Sequence, residues 1–185
     1  MKIPVAGFDP SLTHWGFAEG NLDLVTGVLD DLTLSIAITE KGKAKQIRTN
    51  SDDLQRAEDL ATKAFEVAKR CKVIFVECPV GSQSANGMKS YGIVIGILGS
   101  LRAQGIQIIE VTASEVKKSL SGNKKATKRE MIDSAYGFYP EANWLKEKSG
   151  RLINDNEHTA DAVGAIHAGV TTPLFQNLMR LYAKD

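Results

Sequence analysis

Residues 3–11 read Ile-Pro-Val-Ala-Gly-Phe-Asp-Pro-Ser, an apolar run that stops abruptly at Asp9-Pro10-Ser11. A short apolar run closed by an Asp-Pro turn predicts a strand, because proline has no N–H to donate to a continuing ladder. Working outward, residues 14–20, 24–29 and 32–38 carry β-branched or alternating apolar side chains separated by Gly, Asn and Asp, and predict an antiparallel meander ending near Gly42. Residues 52–69 then place Leu54, Ala57, Leu60, Ala61, Ala64, Phe65 and Ala68 at three- and four-residue intervals, the period of an amphipathic helix.

Val-Ile-Phe-Val-Glu at residues 73–77 is continuously apolar before its terminal acid, as a strand covered on both faces requires. Helix is predicted again over 86–104 and strand over 106–111. Residues 113–120, 128–138 and 158–181 read mainly as helix, with a polar loop over 141–156. Strands that alternate with helices after a meander imply parallel additions to one sheet by right-handed crossovers. The expected class is therefore α/β, a mixed five-stranded sheet flanked by helices. No repeat, low-complexity tract or long linker divides the 185 residues, which are expected to form one domain over 1–185.

With 43% hydrophobic and 24% charged residues the composition is that of a globular protein, which excludes a collagenous, disordered or disulfide-framework chain. The net charge is +1, so any attraction for a polyanion must come from how the charge is distributed. Cys71 and Cys78 flank one apolar run, with no further Cys or His pair at zinc-site spacing. No signal-like or membrane-length apolar stretch is present, and the expected location is a reducing, cytoplasmic compartment with no membrane partner.

Three acids are not explained as solvated surface charge. Asp9 and Glu77 each end an apolar strand, the place where open α/β sheets put their sites. A carboxylate there is costly to desolvate unless it is paired or metal-bound. Asp161 lies in a helix lined by Ala160, Ala162, Gly164, Ala165 and Ala168, small residues that let a backbone come close to a sheet. His158 is three residues earlier on the same face. With Asp155 or Asn156 as cap, both fall in or near the first turn, where the helix dipole favours an anion and keeps a histidine neutral. Alone, each feature has an ordinary reading: a turn, a surface acid, a packed histidine. Their conjunction points to chemistry.

Gly7-Phe8-Asp9-Pro10-Ser11 with Gly16-Phe17, then Phe75-Val76-Glu77, Val116-Lys117-Lys118 and His158-Thr159-Ala160-Asp161-Ala162, resembles in order and spacing the RuvC-type Holliday junction resolvases. The resemblance implies a ribonuclease H-like fold, with catalytic and metal-binding roles for Asp9, Glu77 and Asp161 and His158 as fourth member. It implies two Mg²⁺ per active site, replaceable by Mn²⁺, acting on both oxygens of a phosphodiester. His158 could ligate metal or take a proton. Many members have Asp at that position and some have His.

Between Lys117 and Arg129 six bases (Lys117, Lys118, Lys124, Lys125, Lys128, Arg129) occur with no acid among them, and Ser121-Gly122-Asn123 is expected to split the segment into two helices with an exposed turn. Six phosphate contacts would give a log–log salt slope of about −5, at roughly −0.9 per contact. The resemblance puts Lys118 and Lys128 near residues used on the junction backbone. It also exposes a departure: members place an aromatic residue soon after the second carboxylate, where this chain has Cys78-Pro79-Val80-Gly81. The expected substrate is therefore a four-way junction or another branched DNA, such as a flap or a three-way junction. The helix over 86–104 is apolar on most sides, with Gly92, Gly96 and Gly99 between its large residues, so beyond the sheet it needs another helix or a second subunit to cover it; the resemblance implies a homodimer through this helix.

Two other classes compete. Actin-like ATPases and sugar kinases also begin with strand, Asp and turn, but they hold ATP with glycine-rich hairpins, and residues 7–13 carry one glycine in a chain too short for two lobes. A catalytically inactive branched-DNA-binding protein would gain nothing from an intact acidic set, since carboxylates facing a phosphate weaken binding without metal.

Overall fold

The computed structural model describes residues 1–42 and 48–182. Strands β1 (Lys2–Asp9), β2 (His14–Asp23) and β3 (Leu29–Ile38) form the meander, followed by α1 (Thr49–Ala68), β4 (Val73–Glu77), α2 (Ala85–Ala103) and β5 (Ile108–Val111). Helices α3 (Ala113–Ser121), α4 (Lys128–Phe138), α5 (Asn156–Gly169) and α6 (Pro173–Tyr182) complete the chain. The sheet has five strands in the order β3-β2-β1-β4-β5. β1–β2 and β2–β3 pair antiparallel and β1–β4 and β4–β5 parallel, so the expected mixed sheet is borne out.

Strand parity divides the core in two. Ala6, Phe8, Phe17, Ile74 and Val76 face α1 and α2, where Leu60, Ala64, Val67, Val94, Ile97 and Leu101 cover them. Val5, Ala18, Val73 and Phe75 face the other way, against Ala160, Ala162, Val163 and Ile166 of α5. Asp9 and Glu77 continue this second set by the two-residue period, so both carboxylates leave the sheet on the α5 side.

Two sequence expectations are corrected. Residues 24–29 are not a strand of their own: β2 runs to Asp23, whose Oδ1 accepts from the N–H of Val25 (2.8 Å) and Thr26 (3.0 Å), and Gly27 sits at φ 72°. That Asx turn overrides the β propensity of Val25 and Val28, which are left exposed. Residues 158–181 are two helices, because the chain turns at Thr171-Thr172 before Pro173, which starts α6 where its missing N–H is not needed. The expected break after α3 is present: Gly122 takes the left-handed conformation (φ 77°), and Thr127 opens α4 with a capping box to Glu130.

Cys71 and Cys78 are free thiols, and burial pushes Cys71 up to about 12. Trp15 and Trp144 are packed in the two cores. Among the described residues, no helix is long and apolar enough to cross a membrane.

Candidate active site

Helix α5 reaches the sheet at backbone distance because two strand residues lack a side chain. A Cβ on Gly7 would run into the carbonyl of Ala162, and one on Gly16 into the carbonyl of His158. Neither glycine has positive φ, so the need is for room. On the far side, a Cβ on Gly164 would meet Val116 of α3 at 2.7 Å. Helix α5 is thus held between the sheet and α3, with His158 and Asp161 beside the ends of β1 and β4.

The parallel register Phe8↔Val76 brings Asp9 and Glu77 to adjacent strand ends. Burial, and then the charges of Asp9 and Asp161, push Glu77 up to about 8. Burial and the charge of Asp9 raise Asp161 to about 7. Asp161 Oδ1 is buried and has no hydrogen-bond partner. His158 Nδ1 is 3.0 Å from Asp9 Oδ2, and this bond raises the histidine above its ordinary value against the opposing effect of burial. The Asp9 carboxylate thus acts against the helix dipole, which was expected to favour the neutral imidazole, and makes His158 a stronger base.

The helix start differs as well. Asp155 stands at the N-cap position with helical backbone angles and no capping bond. The Asn156 side chain instead holds the polar loop, accepting from Leu145 N–H (3.0 Å) and donating to Leu145 and Ile153 carbonyls.

The basic segment is brought only partly to the acids. The charge of Lys117, half-buried on α3, lowers both Glu77 and Asp161, and Lys128 is held protonated by Glu157, with Asp161 and Asp9 adding to the effect. Lys118, Lys124 and Lys125 are exposed along α3 and the turn after it. Arg129 bonds to Asp133 (2.8 Å) and to the Leu152 carbonyl (3.2 Å).

Two residues beyond the sequence expectations join the cluster. Glu157 bonds to Lys128 Nζ at 2.8 Å, and its Oε1 lies 3.5 Å from His158 Nε2. Its sequence signal was an acid in the same first turn as His158. His14 stacks on the His158 ring, a contact that no local spacing announces. Val80, in the loop where the resemblance leads one to expect an aromatic residue, is 85% exposed.

Among the described residues, no group of three or more His, Cys, Asp or Glu side chains forms a ready-made metal cage. Like charges that nothing neutralises oppose drawing the carboxylates together. The donors nonetheless fit a hard divalent cation: three carboxylates at one end of the sheet, two held well above the usual range, one with a buried orphaned oxygen.

No protein-family profile matches the chain. No curated protein matches it either. Among solved structures, "T. thermophilus RuvC in complex with Holliday junction substrate" is similar with a TM-score of 0.64 at 21% identity, over 95% of this chain and 96% of that one. "Thermus thermophilus RuvC structure" gives 0.63 at 20% identity, over 96% and 97%. At this identity the similarity establishes the fold: a mixed five-stranded sheet with flanking helices, the ribonuclease H-like fold of RuvC.

Proposed function

We propose that this protein is a divalent-metal-dependent endonuclease that resolves four-way DNA junctions by paired phosphodiester hydrolysis. The observation that carries the reading is the convergence of Asp9, Glu77 and Asp161 from β1, β4 and α5 at one end of the sheet, with the last two resisting ionisation in the metal-free protein. The shared fold with RuvC, one structure of which holds a Holliday junction substrate, supports the choice of DNA.

Asp9, Glu77 and Asp161 would hold two Mg²⁺, or Mn²⁺ in its place. Three carboxylates and one phosphodiester together match the charge of two divalent cations. Such a pair supplies a water of lowered pKa and neutralises the attacking and leaving oxygens of an in-line displacement. His158 is assigned as proton acceptor: an imidazole oriented through Nδ1 by a carboxylate is poised to take a proton at Nε2. Lys117 and Lys128 attract the phosphate into the acidic site, Lys128 exchanging Glu157 for it. The remaining bases extend a positive track along α3 and α4 for the DNA backbone.

The deciding experiment is incubation of purified protein and Mg²⁺ with a synthetic four-way junction, a flap, a three-way junction and a linear duplex. Symmetric paired nicks in the four-way junction are expected. Binding without cleavage would indicate an inactive DNA-binding protein, and ATP hydrolysis without DNA a phosphotransferase. Lys124→Ala combined with Lys128→Ala should flatten the log–log salt slope of junction binding by about 2, at roughly 0.9 per lost contact. An unchanged slope removes this segment from the DNA interface.

Paired nicks require two sites on one substrate, and α2 supplies the surface for a homodimer. Val94, Ile97, Leu98 and Leu101 pack on the sheet, while Gly92, Gly96 and Gly99 are exposed with nothing within 4 Å of an added Cβ. Gly96→Arg should leave the monomer fold intact, since replacing an exposed helical glycine is favourable by up to about 1 kcal/mol. In sedimentation it should convert a wild-type dimer to monomer and change paired nicks to single ones.

A further inference from the structure

His14 is the first residue of β2, and one hydroxyl clamps its backbone: Ser11 Oγ accepts from His14 N–H at 3.0 Å and donates to His14 C=O at 2.6 Å. Pairing with Ile38 ties the same residue to β3. The His14 ring lies flat on the His158 ring, with centroids 5.0 Å apart and planes 8° from parallel. Among the described residues this stack is the one specific contact of the His14 ring.

His158 needs such a contact. Its main chain is fixed where it presses on Gly16, but its side chain still has two rotatable bonds. The bond to Asp9 fixes one edge of the imidazole, and Glu157 Oε1, 3.5 Å from Nε2 and engaged with Lys128, is too distant to stop the ring tilting about that edge. A flat partner on a clamped strand residue fixes the plane. Edge and plane together leave one orientation, which sets where Nε2 points.

We propose that His14 is a positioning residue that holds the His158 imidazole in the orientation needed for cleavage, an inference that rests on the junction-nuclease reading above. It acts through His158, the one ring it stacks on. A planar ring is what the position requires, so phenylalanine substitutes for histidine and a non-planar side chain does not.

The test compares His14→Ala, His14→Leu and His14→Phe. Nicking is measured at saturating Mg²⁺ and junction, junction affinity without Mg²⁺, and the low-field proton of the Asp9–His158 bond by NMR of the metal-free protein. His14→Ala and His14→Leu should each lower kcat by about tenfold or more, the scale of a small misplacement of a reacting group. Junction Kd should stay within about twofold, and the NMR proton should broaden or vanish. His14→Phe should restore the rate to within about twofold of wild type and keep the proton. Should alanine fail to fold, leucine, closer in size to histidine, carries the same comparison. Wild-type kcat in both non-planar variants, a loss confined to Kd, or a phenylalanine variant no better than leucine overturns the proposal. If the wild-type protein nicks no branched DNA, the nuclease reading falls by itself. The positioning role is then decided by NMR alone, and an undisturbed proton in His14→Leu overturns it.

Discussion

Asp161→Asn should cut junction cleavage on the order of 10³-fold, the scale set by deleting a preorganised electrostatic group, while making the metal-free protein more stable at pH 8. Both effects have one cause. Asp161 and Glu77 have folded pKa values near 7 and 8, above their ordinary values, because burial and neighbouring carboxylates penalise their charged forms. The folded protein therefore binds more protons than the unfolded chain between about pH 4 and pH 8, and stability falls as pH rises through that window. Asparagine removes one share, worth on the order of 2–4 kcal/mol by pH 8, and the two proteins should converge in stability below about pH 4.

Divalent cations should act in the opposite sense. They bind the ionised acids, so saturating Mg²⁺ should raise the melting temperature of the wild type more at pH 8 than at pH 5.5, and that of Asp161→Asn much less. Asp9→Asn and Glu77→Gln should share the loss of cleavage with junction affinity largely kept. Thermal melts with and without Mg²⁺, set beside nicking rates, check all of this. An Asp161→Asn enzyme that cleaves at the wild-type rate removes Asp161 from the mechanism.

What the sequence could show of this site follows from the range of the interactions. Asp9 and Glu77 were legible because each interrupts an apolar run, a local signal of a strand end, and strand parity then set the face. The turn at Thr171-Thr172-Pro173 was written just as locally, in a proline that cannot continue a helix, but the apolar residues on both sides of it read as one helix over 158–181. The Asp9–His158 bond and the stack of His14 on His158 join residues at opposite ends of the chain, and neither leaves a periodicity. Residues 24–28 show the converse. Apolar, β-branched side chains argue for strand there, yet one aspartate oxygen accepting two backbone N–H groups makes a turn and leaves Val25 in solvent. The resemblance in motif order supplied the site that local rules could not assemble.

Gly7→Ala should destabilise the protein by about 4 kcal/mol or more, beyond the usual 1–3 kcal/mol of core overpacking, because the obstacle is backbone. The new methyl would overlap the Ala162 carbonyl oxygen and lie 2.8 Å from its carbon and 2.9 Å from Ile166 Cγ1. A side chain can change rotamer, but Ala162 can yield only if α5 lifts from the sheet. That lift would also carry Asp161 away from Asp9 and Glu77 and weaken the Asp9–His158 bond, so any folded fraction at low temperature should still fail to cleave. Gly96→Ala is the matched control: its Cβ meets nothing within 4 Å, and the helix gains up to about 1 kcal/mol. Urea unfolding of the two variants should move in opposite directions. A Gly7→Ala protein with the wild-type midpoint would mean that the strand glycine does not set the distance between α5 and the sheet, and with it the distance between the acids.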